Sequence, residues 1–163
     1  MESLLAEHNN DFYMGVALKL AQDAFDAGEV PVGAIIVSKE KIIAKGFNQK
    51  EMLHDPTAHA EMIAITQAAE ALSDWRLTDT TLYVTLEPCF MCAGAVLQSR
   101  INKIVYGAPD PVAGACGSVM NIFSEPSCNH TVELVKGVRE DECGDILREF
   151  FREKRRQQSI ASN

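Results

Sequence analysis

Long hydrophobic runs are missing from this chain: the apolar stretch from Val32 to Val37 has the length of a strand, not of a membrane span. The opening Met1-Glu2-Ser3-Leu4 lacks the basic start and apolar core of a secretion signal. Both absences lead us to expect a cytoplasmic enzyme or binding module with no membrane association. Cysteine is too scarce, and odd in number at five, for a fully paired disulfide framework. No repeat, low-complexity stretch or Pro/Gly/Ser linker divides the chain. With 163 residues, 47% hydrophobic and 23% charged, it is expected to fold as one domain over 1–163 around a real core. Residues 1–10 are expected to be an N-terminal extension, and residues 157–163 a tail.

An excess of positive charge is also lacking. The net charge of −8 disfavours long-range attraction to phosphate. The charge is uneven, however: Arg148, Arg152, Lys154, Arg155 and Arg156 stand against Glu149 and Glu153 near the C-terminus. That is either a solvated helix end, favoured by the helix dipole, or a local basic patch on an acidic whole.

What is present reads as alternating helices and strands. A first helix is expected from Asn10 or Asp11 to Ala27, with Val16, Leu20, Ala24 and Ala27 as its apolar stripe and Gly28 as its stop. Strands follow over 32–37 and 42–47, joined by a tight turn and so antiparallel. A helix from Ala58 to Ala71, a strand over 81–86, a helix over 89–100 and a strand over 104–106 come next. A short helix around 119–123, a weak strand over 132–135 and an amphipathic helix over 140–156 complete the chain. Strands separated by helices pair in parallel, so the fold class is α/β with a mixed sheet.

Two segments carry chemistry. Cys89 and Cys92 lie three apart at a helix start, on one face, where the helix N-terminus favours the metal-binding thiolate. His59 adds a nitrogen donor, and the Cys₂His set is one that catalytic zinc uses, with a fourth position left for water. Zinc lowers that water's pKa towards neutrality, and Glu61 is the candidate base for its proton. An ideal helix does not bring residues 59 and 61 onto one face, so their convergence requires a bent first turn. Other readings stay open. The C-x-x-C is a redox pair or chance, His59 a core histidine, Glu61 a first-turn carboxylate, or His54 a fourth ligand that closes a structural zinc site. Cys116, Cys128 and Cys143 lack such spacing and read as small, partly buried side chains.

Together, His59-Ala60-Glu61 and Pro88-Cys89-Phe90-Met91-Cys92 form the H-x-E and P-C-x-x-C signature of zinc-dependent nucleobase deaminases. Further stretches are Gly28-Glu29-Val30-Pro31-Val32-Gly33-Ala34, Gly114-Ala115-Cys116-Gly117-Ser118, Asn129-His130 and Phe150-Phe151-Arg152. With them, the chain from about Tyr13 to Arg156 resembles the bacterial tRNA-specific adenosine deaminases. The resemblance implies a three-layer α/β/α cytidine-deaminase-like fold with a five-stranded sheet, and a homodimer. The implied reaction converts the wobble adenosine of a tRNA anticodon to inosine with one Zn²⁺ per subunit. It implies ligands at His59, Cys89 and Cys92 and a proton shuttle at Glu61. Asn48, Val30, Pro31 and Asp110 would meet the target nucleotide; Asn129, Phe150, Phe151 and Arg152 would meet the anticodon loop. Phe150 also reads as core, Asn48 and Asp110 as turn residues. Pro109 and Val112 depart from the pattern, where basic residues are expected. Two alternatives are a deaminase of a free base, such as guanine or cytosine, and a noncatalytic zinc-stabilised RNA-binding subunit.

Overall fold

The computed structural model describes residues 1–162. Its elements are α1 (Glu2–Asp26), β1 (Gly33–Ser38), β2 (Lys41–Phe47), α2 (Lys50–Leu53), α3 (Ala60–Leu72), β3 (Thr80–Leu86), α4 (Phe90–Ser99), β4 (Lys103–Ala108), β5 (Glu133–Val135) and α5 (Glu140–Ala161). The five strands form one sheet in the order β2-β1-β3-β4-β5. β1 runs antiparallel to both β2 and β3, while β3, β4 and β5 run parallel. The mixed α/β sheet expected from the sequence is the one found.

β1 reads as a continuous apolar run because both of its faces are covered. Ala34 and Ile36 join Leu82, Val84, Ile104 and the α3 residues Ala60, Ala64 and Ala68 in one core cluster. Ile35 and Val37 point the other way, with Tyr83, Val105, Met14 and Ala17 of α1 and Cys143 of α5. Helices α3 and α4 thus cover one face, and α1 and α5 the other.

Small residues set how closely these layers approach. A Cβ on Gly33 would strike the Ala17 carbonyl, and one on Gly46 would stand 2.5 Å from the Ala60 carbonyl oxygen. Accordingly the buried stripe of α1 is Met14, Ala17, Ala21 and Ala24. The expected stripe shared only Ala24 with it, because larger Val16 and Leu20 are only half-buried against this tight contact.

α1 also starts at Glu2 rather than at Asn10. Residues 2–9 are exposed helix formers with no breaker, so they continue the turns that the packed part of α1 nucleates. Asn10 caps nothing; its Oδ1 accepts a hydrogen bond from the Tyr83 hydroxyl at 3.1 Å. Gly28, at φ 77°, stops α1 as expected. The hairpin turn uses Lys39 and Glu40 at φ 48° and 62°, the left-handed pair of a type I′ turn. The expected helix near 119–123 is a 3₁₀ turn over Ile122–Ser124, whose Phe123 amide donates to the Asn121 side chain. α5 runs five residues past its expected end.

Since β1 and β3 are antiparallel, the beginning of one meets the end of the other. The Gly33 amide there donates to Thr85 Oγ1 at 3.2 Å. The starts of α3 and α4 lie at this same edge, a crevice beyond strand ends where α/β sheets place ligands.

Candidate active site

His59 and Cys89 are the N-caps of α3 and α4, both with extended backbone (ψ 152° and 178°). Cys92 lies in the first turn of α4, fully buried. His59 Nδ1 stands 3.6 Å from Cys89 Sγ and 3.5 Å from Cys92 Sγ. The donor atoms of all three residues lie within 4.8 Å of one another. Two helix N-termini face the cluster and favour negative charge there. Without a cation, the Cys92 thiol hydrogen-bonds Cys89 and holds its thiol down to about 3, while the same contact drives Cys92 far up. The two sulfurs are thus pushed in opposite directions by one contact. The hydrogen bond between Cys89 and the His59 ring raises the imidazole in turn.

Two sulfurs and one nitrogen at this spacing fit a borderline-soft divalent ion with one coordination position left open. His54 does not close the set: it is exposed, at φ 49° in the C-cap of α2, and lies outside the cluster. All five cysteines are free.

Glu61 is 4% exposed and stands in the first turn of α3. The i, i+2 objection from an ideal helix falls away because His59 is an extended cap, not a helical residue. Burial pushes the Glu61 carboxyl up to about 7, against the pull of its own backbone amide and of His59. A carboxyl near neutrality can both take and give a proton.

A cavity of about 210 Å³ opens above this cluster, walled by Val30, Val32 and Leu86 and by Asn48, Lys50, Asp110 and Ala113. Asn48 is 6% exposed; its Nδ2 donates to the Val30 carbonyl at 3.3 Å. Its Oδ1 is buried without a partner. Asp110 folds its own turn, Oδ1 accepting from the amides of Val112 and Ala113. Pro31 is buried behind Val30 and does not line the cavity; Val32 does.

The remaining expected contacts lie further out. A second depression shares Val30, Asn48 and Lys50 with the cavity wall and runs to Phe150, Phe151, Lys154 and Gln158 of α5. Phe150 is 6% exposed and packs edge-on to Phe25, whereas Phe151 is 45% exposed. Arg152 is exposed and joins Arg148, Arg155 and Phe151 round a third, shallow hollow beside Pro111. Asn129 is exposed and lines none of these three.

Sequence reasoning missed two carboxylates, Glu29 and Glu87, each 1% exposed. Glu29 accepts from the amides of Glu51 and Met52 at 3.2 and 2.7 Å, and so fixes α2 and its Lys50. Glu87 accepts from the loop after β4. The available signal was a single acid set among apolar residues and prolines at an element's end.

A cap-held Cys₂His cluster with a buried carboxyl beneath a cavity at this sheet edge defines the site of a deaminase. The family model of MafB19-like deaminases matches residues 8–155. The tRNA-specific adenosine deaminase of Bacillus subtilis (strain 168) is 49% identical over 152 residues, 93% of this chain and 94% of that one. A solved structure from work on A-to-I editing by tRNA:A34 deaminases at the wobble position of transfer RNA superposes with a TM-score of 0.81. It is 44% identical, covering 83% of this chain and 99% of its own. A guanine deaminase from Nitrosomonas europaea shares the fold, at 23% identity and a TM-score of 0.71 over 86% of this chain and 83% of its own. The chain belongs to the tRNA-specific adenosine deaminase family.

Proposed function

We propose that the protein hydrolyses the wobble adenosine of a tRNA anticodon to inosine and ammonia. The carrying observation is the continuity of the cavity with the α5 depression through Val30, Asn48 and Lys50. A free base needs only the cavity; a nucleotide inside a strand needs a path onward. Exposed Phe151 offers a stacking surface on that path, and Lys50 and Lys154 offer charge for phosphate. The names of the relatives point the same way.

His59, Cys89 and Cys92 would hold zinc, which when bound supplies Lewis-acid activation of a water. Glu61, its carboxyl near neutrality, would accept the proton of the hydrolytic water and pass one to the departing amine. Val30, Val32 and Leu86 exclude solvent from the base. The unpartnered Asn48 Oδ1 accepts a hydrogen bond from the target nucleotide, and Asp110 meets its sugar or its neighbour. Asn129, Phe150, Phe151 and Arg152 serve the anticodon loop, Phe150 by bracing Phe151 at a centroid distance of 5.4 Å.

We place the enzyme in the cytoplasm as a single-domain homodimer. Free thiols suit a reducing compartment. Among the described residues no helix is long and apolar enough to cross a membrane. Adjacent Val119 and Met120, 49% and 48% exposed, offer apolar surface that a second copy can cover. The test is deamination of a synthetic anticodon stem-loop, read as inosine, beside free adenine, guanine and cytosine. Conversion of the wobble adenosine alone is expected; conversion of a free base instead overturns the reading.

A further inference from the structure

Glu87 follows the last residue of β3, two residues before Cys89 of the Cys₂His cluster, yet its bonds go elsewhere. Its Oε1 accepts from the Asp110 amide at 3.3 Å and the Ser118 hydroxyl at 2.5 Å. Its Oε2 accepts from the amides of Cys116 and Ser118, at 3.1 and 3.2 Å. All four donors belong to the loop between β4 and the 3₁₀ turn. Gly114 lies so close that a Cβ there would come within 2.5 Å of the Glu87 carboxyl carbon. Among the described residues Glu87 has no ion-pair partner. A carboxylate buried on neutral donors alone is costly, and all four of its bonds gather a single loop.

We propose that Glu87 is a positioning residue for the deamination, acting through Asp110. By gathering residues 110–118 round its carboxylate, it sets where Asp110 and Ala113 stand in the cavity wall. The inference rests on the proposed role of that cavity as the target-nucleotide pocket. The hydrogen-bond pattern says how to isolate it. A glutamine keeps one oxygen for the Cys116 and Ser118 amides and turns its NH₂ towards the other pair. Ser118 Oγ can rotate to accept from that NH₂, but the Asp110 N–H cannot, and loses its partner.

The experiment is a double-mutant cycle of Glu87→Gln and Asp110→Ala on the anticodon stem-loop. It reads kcat, KM, zinc content and thermal unfolding. Glu87→Gln is expected to retain zinc and to lower kcat/KM roughly ten- to hundred-fold, the scale of a small misplacement. In the Asp110→Ala background the same change should cost less than about two-fold, because the residue it acts through is gone. Glu29→Gln, which frees α2 instead, should combine with Asp110→Ala multiplicatively. Losses of Glu87→Gln and Asp110→Ala that multiply overturn the proposal, as does loss of zinc from Glu87→Gln. Ser118→Ala removes one hydroxyl donor to Oε1 and supplies the same cycle should the glutamine variant fail to fold. A wild-type enzyme inactive on the stem-loop refutes the proposed function and the positioning role with it, whereas multiplying losses in an active enzyme overturn the positioning role alone.

Discussion

The floor of the cavity and its rim are built by different means. On the floor, His59, Cys89, Cys92 and Glu61 come from two short segments, each at the start of a helix that the sheet edge orients. Around the rim, Val30, Asn48, Lys50, Asp110 and Phe151 come from five connections or helices, and buried carboxylates hold two of those connections. Floor geometry follows from local backbone conformation and tolerates little change. Rim geometry depends on long-range hydrogen bonds, from Glu29 to the start of α2 and from Glu87 to the loop after β4.

Substitutions should separate the two. Cys89→Ala removes a proposed zinc ligand from the floor, and inosine formation should drop at least roughly a thousand-fold, with zinc lost on dialysis. Metal retained at wild-type content would show that Cys89 is no ligand. Next in size, Glu61→Gln should keep zinc and fold while the rate falls by about a hundred- to ten-thousand-fold, the usual worth of a positioned acid-base group. Full activity in single-turnover assays would remove Glu61 from proton transfer. On the rim, Asn48→Ala deletes an unpaired buried acceptor together with one 3.3 Å hydrogen bond to the Val30 carbonyl. The two nearly offset, so stability should change little. KM for the stem-loop should climb roughly ten-fold, the effect of one lost hydrogen bond to substrate. A lowered melting temperature with unchanged KM would make Asn48 a fold residue instead.

The smallest effect sharpens the comparison inside one helix. Phe151→Ala should leave the melting temperature unchanged and weaken stem-loop binding several-fold, the loss of one stacking face worth about 1–3 kcal/mol at most. Phe150→Ala should do the reverse, destabilising the fold by ~3 kcal/mol because its ring is buried against Phe25. Equal effects of the two changes on binding and on melting would erase the distinction between core and contact on α5.

The same division governed what the sequence made legible. The Cys₂His cluster and the mixed sheet rest on local spacing and on strand-helix alternation, both of which survive in one dimension. Convergence of His59 and Glu61 does not, because it turns on whether His59 is helical or an extended cap. The α1 stripe was misplaced since alanines carry a weak periodic signal, and only the neighbouring Gly33 explains why alanines are wanted. α2 is four residues long and owes its place to Glu29, which is twenty-two positions from the amide of Glu51. Glu87 and Asp110 are likewise twenty-three apart. Nothing within a helical turn or a strand repeat announces such pairs.

The uneven charge of α5 has a consequence for how an RNA substrate reaches this surface. The chain carries −8 overall although five cations lie between Arg148 and Arg156, so the rest of the molecule is more negative still. A polyanion approaching at random is turned away from most directions and drawn in from one. An acidic body with one basic helix end is expected to disfavour adhesion to bulk nucleic acid and to favour approach by way of α5. Reversing surface acids far from the cavity should therefore tighten binding to any RNA and blur the choice between them.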